Sequence, residues 1–163
     1  MEKLDIDIKN LKGFALTIQI FRWLHNNLPD GKTILELGSG TGTIELCKHY
    51  KVYSIEDNEK WLNVAPSNYI HAPIVNRWYD VSVLKEKLPK AYDLILIDGP
   101  IGSIGRIGFY ENLSLFRTDV PMIFDDVERP AEYELITQVS KKLNREFTMY
   151  ETGPKKFGVI LPS

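Results

Sequence analysis

Three glycines at alternating positions, Gly38, Gly40 and Gly42, give the first chemical signal in the sequence. They follow an apolar run at 33–37, and a helical pattern resumes at residue 44, so the predicted order is strand, tight turn and helix. Glycines let the chain reverse within a few residues, and a ligand can touch their main chain because no Cβ intervenes. The following helix directs unpaired amide groups into the same gap. The stretch therefore predicts a site for a nucleotide-like ligand.

The spacing of these glycines bears on which nucleotide would bind. The dinucleotide fingerprint G-x-G-x-x-G would require glycine where Thr43 stands, and a phosphate-binding loop would require a lysine that this turn lacks. Glu36, just before the glycines, is a poor neighbour for phosphate, whereas a carboxylate suits a cationic ligand with an amino group and a sulfonium. A purely structural turn in some other α/β protein is the alternative.

Glu56 is the next candidate, because it ends a predicted strand at 51–55 and lies 18 residues after Gly38. In doubly wound sheets an acidic side chain about 20 residues past the glycines accepts hydrogen bonds from ribose hydroxyls. Asp57 adjoins it as a second candidate, and Asp57 or Asn58 would also cap a helix predicted at 59–64. The alternative for Glu56 is a solvated loop end.

Three more carboxylates follow apolar strands further along the chain. Asp98 ends the run at 94–97, and Asp125 and Asp126 end the run at 119–124. If these strands are neighbours, their spacing is about 4.8 Å, and the carboxylates face one small volume. Like charges that close require a proton, a cation or an arginine. Asp98 and Asp125 are thus candidates for proton transfer or for binding a metal ion.

Two arginines, Arg106 and Arg129, flank the same predicted edge of the sheet. Their planar guanidinium groups suit a carboxylate or phosphate on a substrate. Pairing with surface glutamates at 111, 128 or 132 is the alternative.

The sequence E-L-G-S-G-T-G at 36–42 resembles the first motif of class I S-adenosylmethionine-dependent methyltransferases, an acidic residue followed by G-x-G-x-G. I-D-G-P-I-G-S-I-G-R at 97–106 and F-D-D-V-E-R-P at 124–130 are similar to a bacterial branch of that class. They are more distantly similar to catechol-type and glucuronoxylan O-methyltransferases. The resemblance covers about residues 33–161 and implies methyl transfer to a small-molecule or saccharide acceptor, on oxygen or nitrogen.

In the catechol type, an Asp after the fourth strand and an Asp-Asn pair after the fifth hold a divalent cation. The matching positions are Asp98, Asp125 and Asp126, which implies a Mg²⁺ site, although Asp replaces Asn at 126 and the catechol lysine base has no clear counterpart. Capping of the next helix is the alternative role for Asp125 and Asp126. The implied S-adenosylmethionine site places Glu36 at the amino-acid end and Glu56 on the ribose, and comprises Glu36, Gly38, Ser39, Gly40, Thr41, Gly42, Glu56, Asp57 and Asp98.

Two rival functions share these motifs. An aminopropyltransferase has the same fold and a carboxylate after the fourth strand, and a non-catalytic binding or scaffold module would keep the glycine turn. Binding of decarboxylated over intact S-adenosylmethionine would distinguish the first, and absence of turnover would distinguish the second.

The elements that position these residues alternate between strand and helix, which predicts a doubly wound, mostly parallel α/β sheet. With two late antiparallel strands at 146–151 and 157–161, the sheet is seven-stranded. An amphipathic helix at about 13–28 covers one face. A strand at 68–75 contains Pro73 and suits the sheet edge, and Trp78 and Tyr79 follow in a loop where they cover adenine or pack beneath the loop.

Composition limits the remaining classes. The 163 residues fit one domain over 1–163, and 44% hydrophobic with 26% charged residues is ordinary globular usage. Twenty basic against 22 acidic side chains argue against a nucleic-acid partner. Short apolar runs and the lack of a secretory pattern argue against a membrane, and the single cysteine favours the cytoplasm. No large cap is visible, so a partner chain in a homo-oligomer could complete the acceptor pocket.

Overall fold

The computed structural model describes residues 5–12 and 16–163, and nine strands lie within those ranges. Seven belong to the main sheet: β1 (Thr33–Leu37), β2 (Lys51–Glu56), β3 (Asn68–His71), β6 (Leu94–Ile97), β7 (Met122–Phe124), β8 (Phe147–Thr152) and β9 (Lys155–Ile160). The other two, β4 (Ile74–Val75) and β5 (Trp78–Tyr79), form a separate hairpin. The helices are α1 (Ile18–Asn27), α2 (Gly42–His49), α3 (Val81–Lys87), α4 (Gly108–Glu111) and α5 (Pro130–Leu143).

The strand order across the main sheet is β3-β2-β1-β6-β7-β9-β8. The pairs from β3 to β7 are parallel, whereas β9 runs antiparallel to both β7 and β8. For the described residues this confirms the predicted seven-stranded, mostly parallel α/β sheet with an antiparallel C-terminal pair.

The apolar run of β6 explains its central position, because all four side chains are buried. Leu94 and Leu96 pack in a cluster with Ile20, Phe21 and Leu24 of α1. The alternate residues Ile95 and Ile97 pack on the opposite face with Leu135, Ile136 and Val139 of α5. Burying each such aliphatic side chain contributes roughly 1.5–3 kcal/mol. Helices therefore cover both faces, and the ends of the parallel strands remain for a site.

The first helix starts later than its periodicity predicts. Leu16 and Thr17 precede it in non-helical conformation, and the helix begins at Ile18. Gly13 and Phe14, where the predicted helix began, lie outside the described residues. Phe21 and Leu24 of the predicted amphipathic stripe lie in the core, together with Ile20 and Trp23, whereas Ile18 is only half-buried.

Two further elements differ from prediction. The predicted strand at 68–75 divides: β3 does occupy the sheet edge, but it ends at His71, and the chain then turns at Pro73 into the β4–β5 hairpin. Proline cannot donate a ladder hydrogen bond, which explains the break. The helix predicted at 59–64 shortens to a single 3-10 turn (Glu59–Trp61), capped by Asn58.

The carboxyl ends of β1, β2, β6 and β7 all lie at one edge of the sheet, because these strands are parallel. This edge is where open α/β sheets bind ligands. Within the described residues, no helix has the length and apolar character needed to cross a bilayer.

Candidate functional site

A cavity of about 640 Å³ lies at this edge of the sheet. Its size is within the range of small-molecule and cofactor pockets. Its lining comprises Lys12, Gly38, Ser39, Gly40, Thr41, Glu56, Asp57, Asn58, Trp61, Tyr79, Asp98, Gly99, Pro100, Ile101, Gly102, Arg106, Asp126, Glu128, Arg129 and Lys155. The cavity therefore brings together most residues of the predicted donor site with both predicted substrate arginines. Glu36, Gly42 and Asp125 are the predicted site residues that do not line it.

The turn at 38–42, here called the glycine turn, meets the end of β6 main chain against main chain. Gly38 has a φ of +86°, and a Cβ built on it would lie 2.7 Å from the carbonyl oxygen of Asp98. A Cβ on Gly99 would lie 2.7 Å from the Cα of Gly38. Gly40 differs, because a Cβ there would have nothing within 4 Å. Close packing thus explains Gly38 and Gly99, whereas an open cavity lies beside Gly40.

Glu36 lies beneath the glycine turn, 1% exposed. Its carboxyl group accepts hydrogen bonds from Thr43 Oγ1 at 2.8 and 3.0 Å and from Ser54 Oγ at 2.6 Å. Thr43 Oγ1 in turn accepts from the backbone N–H of Gly40 at 3.1 Å. Burial raises the pKa of Glu36 to about 8, against the hydrogen bonds from Ser54 and Thr43 that lower it. Glu36 therefore orients the turn from below.

Glu56 reaches the cavity from the end of β2. Its Oε1 accepts from Ser39 N at 2.9 Å, and its Oε2 accepts from Asp57 N at 2.7 Å and Asn58 N at 2.8 Å. An ionised carboxylate offers about four lone-pair sites, so one remains for a ligand. Burial raises the pKa of Glu56, and the three backbone donors fix its orientation.

Asp98, Asp125 and Asp126 form the acidic cluster, in which one carboxylate oxygen from each lies within 4.8 Å of the others. Burial, followed by the charge of Asp125, raises the pKa of Asp98 well above its ordinary range. Burial and the charge of Asp126 raise the pKa of Asp125. Asp126 has a φ of +59°, and its N–H donates to Asp125 Oδ1 at 2.8 Å. A non-glycine residue in this conformation is typical of functional sites.

Arg106 is buried against this cluster, with 5% of its surface exposed. Its Nε donates to Pro100 O at 3.0 Å, and its Nη2 donates to Asp98 O at 3.2 Å and to Asp126 Oδ2 at 3.1 Å. Its partners are therefore the two strand ends and not the surface glutamates that were the alternative. Arg106 joins the ends of β6 and β7.

Arg129 and Lys155 add two more cations. Arg129 Nη1 lies 3.4 Å from Asp126 Oδ2, and its side chain is 44% exposed. Lys155 Nζ lies 3.4 Å from Asp126 Oδ1 and 3.9 Å from Asp125 Oδ2. Burial lowers the pKa of Lys155, but the charges of Asp125 and Asp126 outweigh it and raise that pKa overall. The acidic cluster is therefore neutralised in part by side chains of the chain itself.

The donor atoms of the cluster also fit a divalent cation. Carboxylate oxygens are the ligands that Mg²⁺ prefers, with water completing its shell. Asp98 and Asp126 line the same cavity as the glycine turn. The Lys155 ammonium would compete with such an ion for Asp126.

Sequence reasoning missed two of these side chains. Lys155 lies 29 residues after Asp126 and reaches the site only because β9 pairs with β7. Trp61 lines the cavity from the 3-10 turn after β2, five residues past Glu56. An aromatic residue shortly after the ribose carboxylate could have been recognised as a wall for a nucleoside base, whereas Lys155 carried no signal of this kind.

The aromatic pair after β4 does not lie in a loop. Trp78 and Tyr79 form β5, and both are buried, so packing accounts for Trp78. Trp78 packs against Phe116 with ring centroids 6.1 Å apart, and it does not line the cavity. Tyr79 does reach the cavity wall.

Comparisons by sequence give no match, either to a family model or to a curated protein. Solved structures do match. A proposed caffeoyl-CoA O-methyltransferase from Staphylococcus aureus has a TM-score of 0.63 at 16% identity, covering 96% of this chain and 93% of that one. SAH-bound PaMTH1 from Podospora anserina has a TM-score of 0.60 at 15% identity, covering 89% of this chain and 76% of that one.

MycE, a methyltransferase from the mycinamycin biosynthetic pathway in complex with Mg and SAH, has a TM-score of 0.60 at 13% identity. The match covers 96% of this chain and 49% of MycE, so this chain spans about half of that protein. At these identities the comparisons establish architecture: the chain has the Rossmann-like fold of these methyltransferase structures.

Proposed function

We propose that this protein is an S-adenosylmethionine-dependent methyltransferase that acts on a hydroxyl group of a small-molecule or saccharide acceptor. One observation carries the proposal: the bare main chain of the glycine turn, the Glu56 carboxylate, and Asp98 and Asp126 of the acidic cluster all line one cavity. These are, in order, surfaces for a nucleoside donor, for its ribose and for the acceptor. The methyltransferase neighbours add support through their shared fold.

The donor rests on Gly38, Ser39 and Gly40 in this proposal, with its ribose on the remaining lone pair of Glu56. Trp61 and Asp57 follow Glu56 in the sequence and also line the cavity, and they suit the base. The sequence predicted a direct role for Glu36 at the amino-acid end of the donor. Its contacts favour an indirect role, because it holds Gly40 through Thr43.

The methyl group passes in line from the sulfonium to the acceptor oxygen beside Asp98. Holding both reactants in one geometry supplies much of the acceleration, with effective molarities on the order of 10⁵–10⁸ M as the scale. Asp98 removes the acceptor proton as a general base. Asp125, at the end of β7, and Arg106, in the loop after β6, position Asp98, since Arg106 Nη2 donates to Asp98 O and the charge of Asp125 acts on the Asp98 carboxyl group.

Asp98, Asp125 and Asp126 would hold Mg²⁺, which would lower the pKa of an acceptor hydroxyl bound to it. Arg129 lines the cavity with its side chain 44% exposed and would bind an anionic group of the acceptor. The resemblance of the IDGP and FDDVERP segments to one bacterial branch is consistent with this arrangement, and we assign the chain to that branch.

A screen for methyl transfer tests the proposal. The purified chain is incubated with methyl-labelled S-adenosylmethionine, Mg²⁺ and a panel of hydroxyl-bearing small molecules and saccharides. We expect label in at least one acceptor, with equimolar S-adenosylhomocysteine, and loss of this transfer in Asp98→Asn. Donor binding without transfer to any acceptor would favour a scaffold, and preference for decarboxylated donor would favour an aminopropyltransferase.

A further inference from the structure

The hydroxyl group of Tyr79 is a buried polar atom that the fold leaves without a partner. Tyr79 ends β5, its residue is fully buried, and its ring packs beside Trp78 with centroids 5.4 Å apart. Its Oη makes no hydrogen bond to any described residue. Buried hydroxyl groups are normally paired, because an unpaired one keeps its desolvation cost, so this atom requires an explanation.

The position of the Tyr79 hydroxyl explains why it has no partner among the residues that the structure describes. Tyr79 is part of the cavity wall, at the place where the glycine turn meets the end of β6. A Cβ on Gly99 would lie 2.5 Å from Tyr79 Oη, and the same Cβ would lie 2.7 Å from the Cα of Gly38. The hydroxyl therefore lies against Gly99, where the end of β6 meets the glycine turn, and Tyr79 is part of the cavity wall there.

Charged groups that line the cavity act on the Tyr79 hydroxyl. Burial raises the pKa of Tyr79 well above its ordinary value, and the charges of Glu56, Asp57 and Asp98 raise it further while Arg106 lowers it. The phenol thus keeps its proton and acts as a donor. The carboxylate assigned to the ribose and the carboxylate assigned to methyl transfer are both among these charges.

We infer that Tyr79 is a further donor-binding residue, whose hydroxyl donates a hydrogen bond to a sugar oxygen of the bound S-adenosylmethionine. This inference rests on the proposed function, because it takes the cavity as the donor site. Glu56 and Tyr79 then hold the sugar from two sides, one as acceptor and one as donor. Binding completes a hydrogen bond that the free protein lacks.

Tyr79→Phe tests this, with Tyr92→Phe as the matched control. Tyr92 is a buried tyrosine of the same core cluster, but its Oη accepts a hydrogen bond from Arg117 N at 2.6 Å and it does not line the cavity. Both variants keep the ring and lose one oxygen. Affinity for S-adenosylhomocysteine is measured by calorimetry, and the melting temperature is measured without ligand.

We expect Tyr79→Phe to bind S-adenosylhomocysteine roughly three- to tenfold more weakly, with an unchanged or higher melting temperature of the free protein. Tyr92→Phe should show the reverse, unchanged affinity and a lower melting temperature. A crystal of the wild-type chain with S-adenosylhomocysteine should place Tyr79 Oη about 2.5–3.0 Å from a sugar oxygen.

Unchanged affinity in Tyr79→Phe, or a Tyr79 Oη more than about 4 Å from the sugar in that crystal, would overturn the inference. A lower melting temperature of the free variant would also do so, because it would reveal an internal partner for the hydroxyl. These outcomes leave the proposed function intact. If the wild-type chain does not bind S-adenosylhomocysteine at all, the proposed function fails, and this inference fails with it.

Discussion

Glu36 and Glu56 both support the glycine turn, and their surroundings give them different roles. Glu36 is enclosed and bonds to hydroxyl groups, whereas Glu56 bonds to backbone amides and faces the cavity. Their spacing from the glycines predicted the position of Glu56 at the cavity. It could not predict that Glu36 is covered, since that depends on Thr43 and Ser54 from two other elements.

Glu36→Gln tests the enclosed carboxyl group. The folded pKa is about 8 against an unfolded value of 4.5, so the folded state binds the proton more tightly. The contribution of this protonated carboxyl group to the free energy of unfolding is therefore fully present below pH 4.5. It is lost as pH rises from 4.5 towards 8, because the unfolded state then gives up its proton while the folded state still holds it. Glutamine resembles the protonated acid, so this variant should gain on the order of 4 kcal/mol over wild type at pH 8 and almost nothing at pH 4.5. Urea unfolding at several pH values measures the difference, and a gain independent of pH would contradict it.

Glu56→Ala tests the ribose contact. Removing a charged hydrogen-bond partner should weaken S-adenosylhomocysteine binding by roughly 10- to 100-fold. Glu59→Ala is the control, because Glu59 is exposed in the same segment and does not line the cavity. Calorimetry measures both affinities, and equal binding by the two variants would remove Glu56 from the donor site.

At the scale of elements, the site depends on the close main-chain contact between the glycine turn and the end of β6. Apolar runs ending in carboxylates predicted β1, β2, β6 and β7 and the edge at which they end. The sequence could not predict contacts such as Gly38 with Asp98, since a positive φ and a main-chain approach depend on how two strands are placed. Lys155 was missed for the same reason, because its place is set by β9 pairing with β7.

Gly38→Ala and Gly40→Ala separate packing from ligand access. At Gly38 the added methyl meets a main-chain oxygen at 2.7 Å in a left-handed conformation, so we expect a loss of about 2 kcal/mol or more in the free energy of unfolding. At Gly40 nothing lies within 4 Å, and the change should stay within about 0.5 kcal/mol. Gly40→Ala should nevertheless weaken S-adenosylhomocysteine binding. Equal stability of the two variants, measured by chemical unfolding, would show that close main-chain packing does not require glycine at position 38.

Lys155→Met tests whether the Lys155 ammonium group, on the β8–β9 hairpin, competes with a metal ion for the acidic cluster. Removing a unit charge about 4 Å from two carboxylates leaves the cluster more negative, so affinity for Mn²⁺ as a Mg²⁺ substitute should rise on the order of tenfold. Lys156→Met is the control, because Lys156 Nζ pairs with Glu151, outside the cavity. Electron paramagnetic resonance of free Mn²⁺ measures both variants. No gain in Lys155→Met over Lys156→Met would mean that the cluster does not hold the ion.

For the whole molecule, the alternation of parallel strands with helices could be predicted from the sequence. Buried parallel strands appear as continuous apolar runs, and segments with helical periodicity lie between them. The shape of the cavity could not be predicted, since it depends on side chains from β2, β6, β7 and the C-terminal hairpin meeting at one edge. In the proposed function the methyl acceptor binds in this assembled cavity, so no single motif of the sequence identifies it.

Calorimetric titration of the wild-type chain with S-adenosylhomocysteine, paired with its melting temperature, tests the central claim most directly. We predict saturable binding of one molecule per chain and, at 100 times the dissociation constant, a stabilisation of about 2.7 kcal/mol, or roughly 5–10 °C. No heat of binding and no change in melting temperature at about 5 mM ligand, where even a millimolar site would be largely filled, would contradict it.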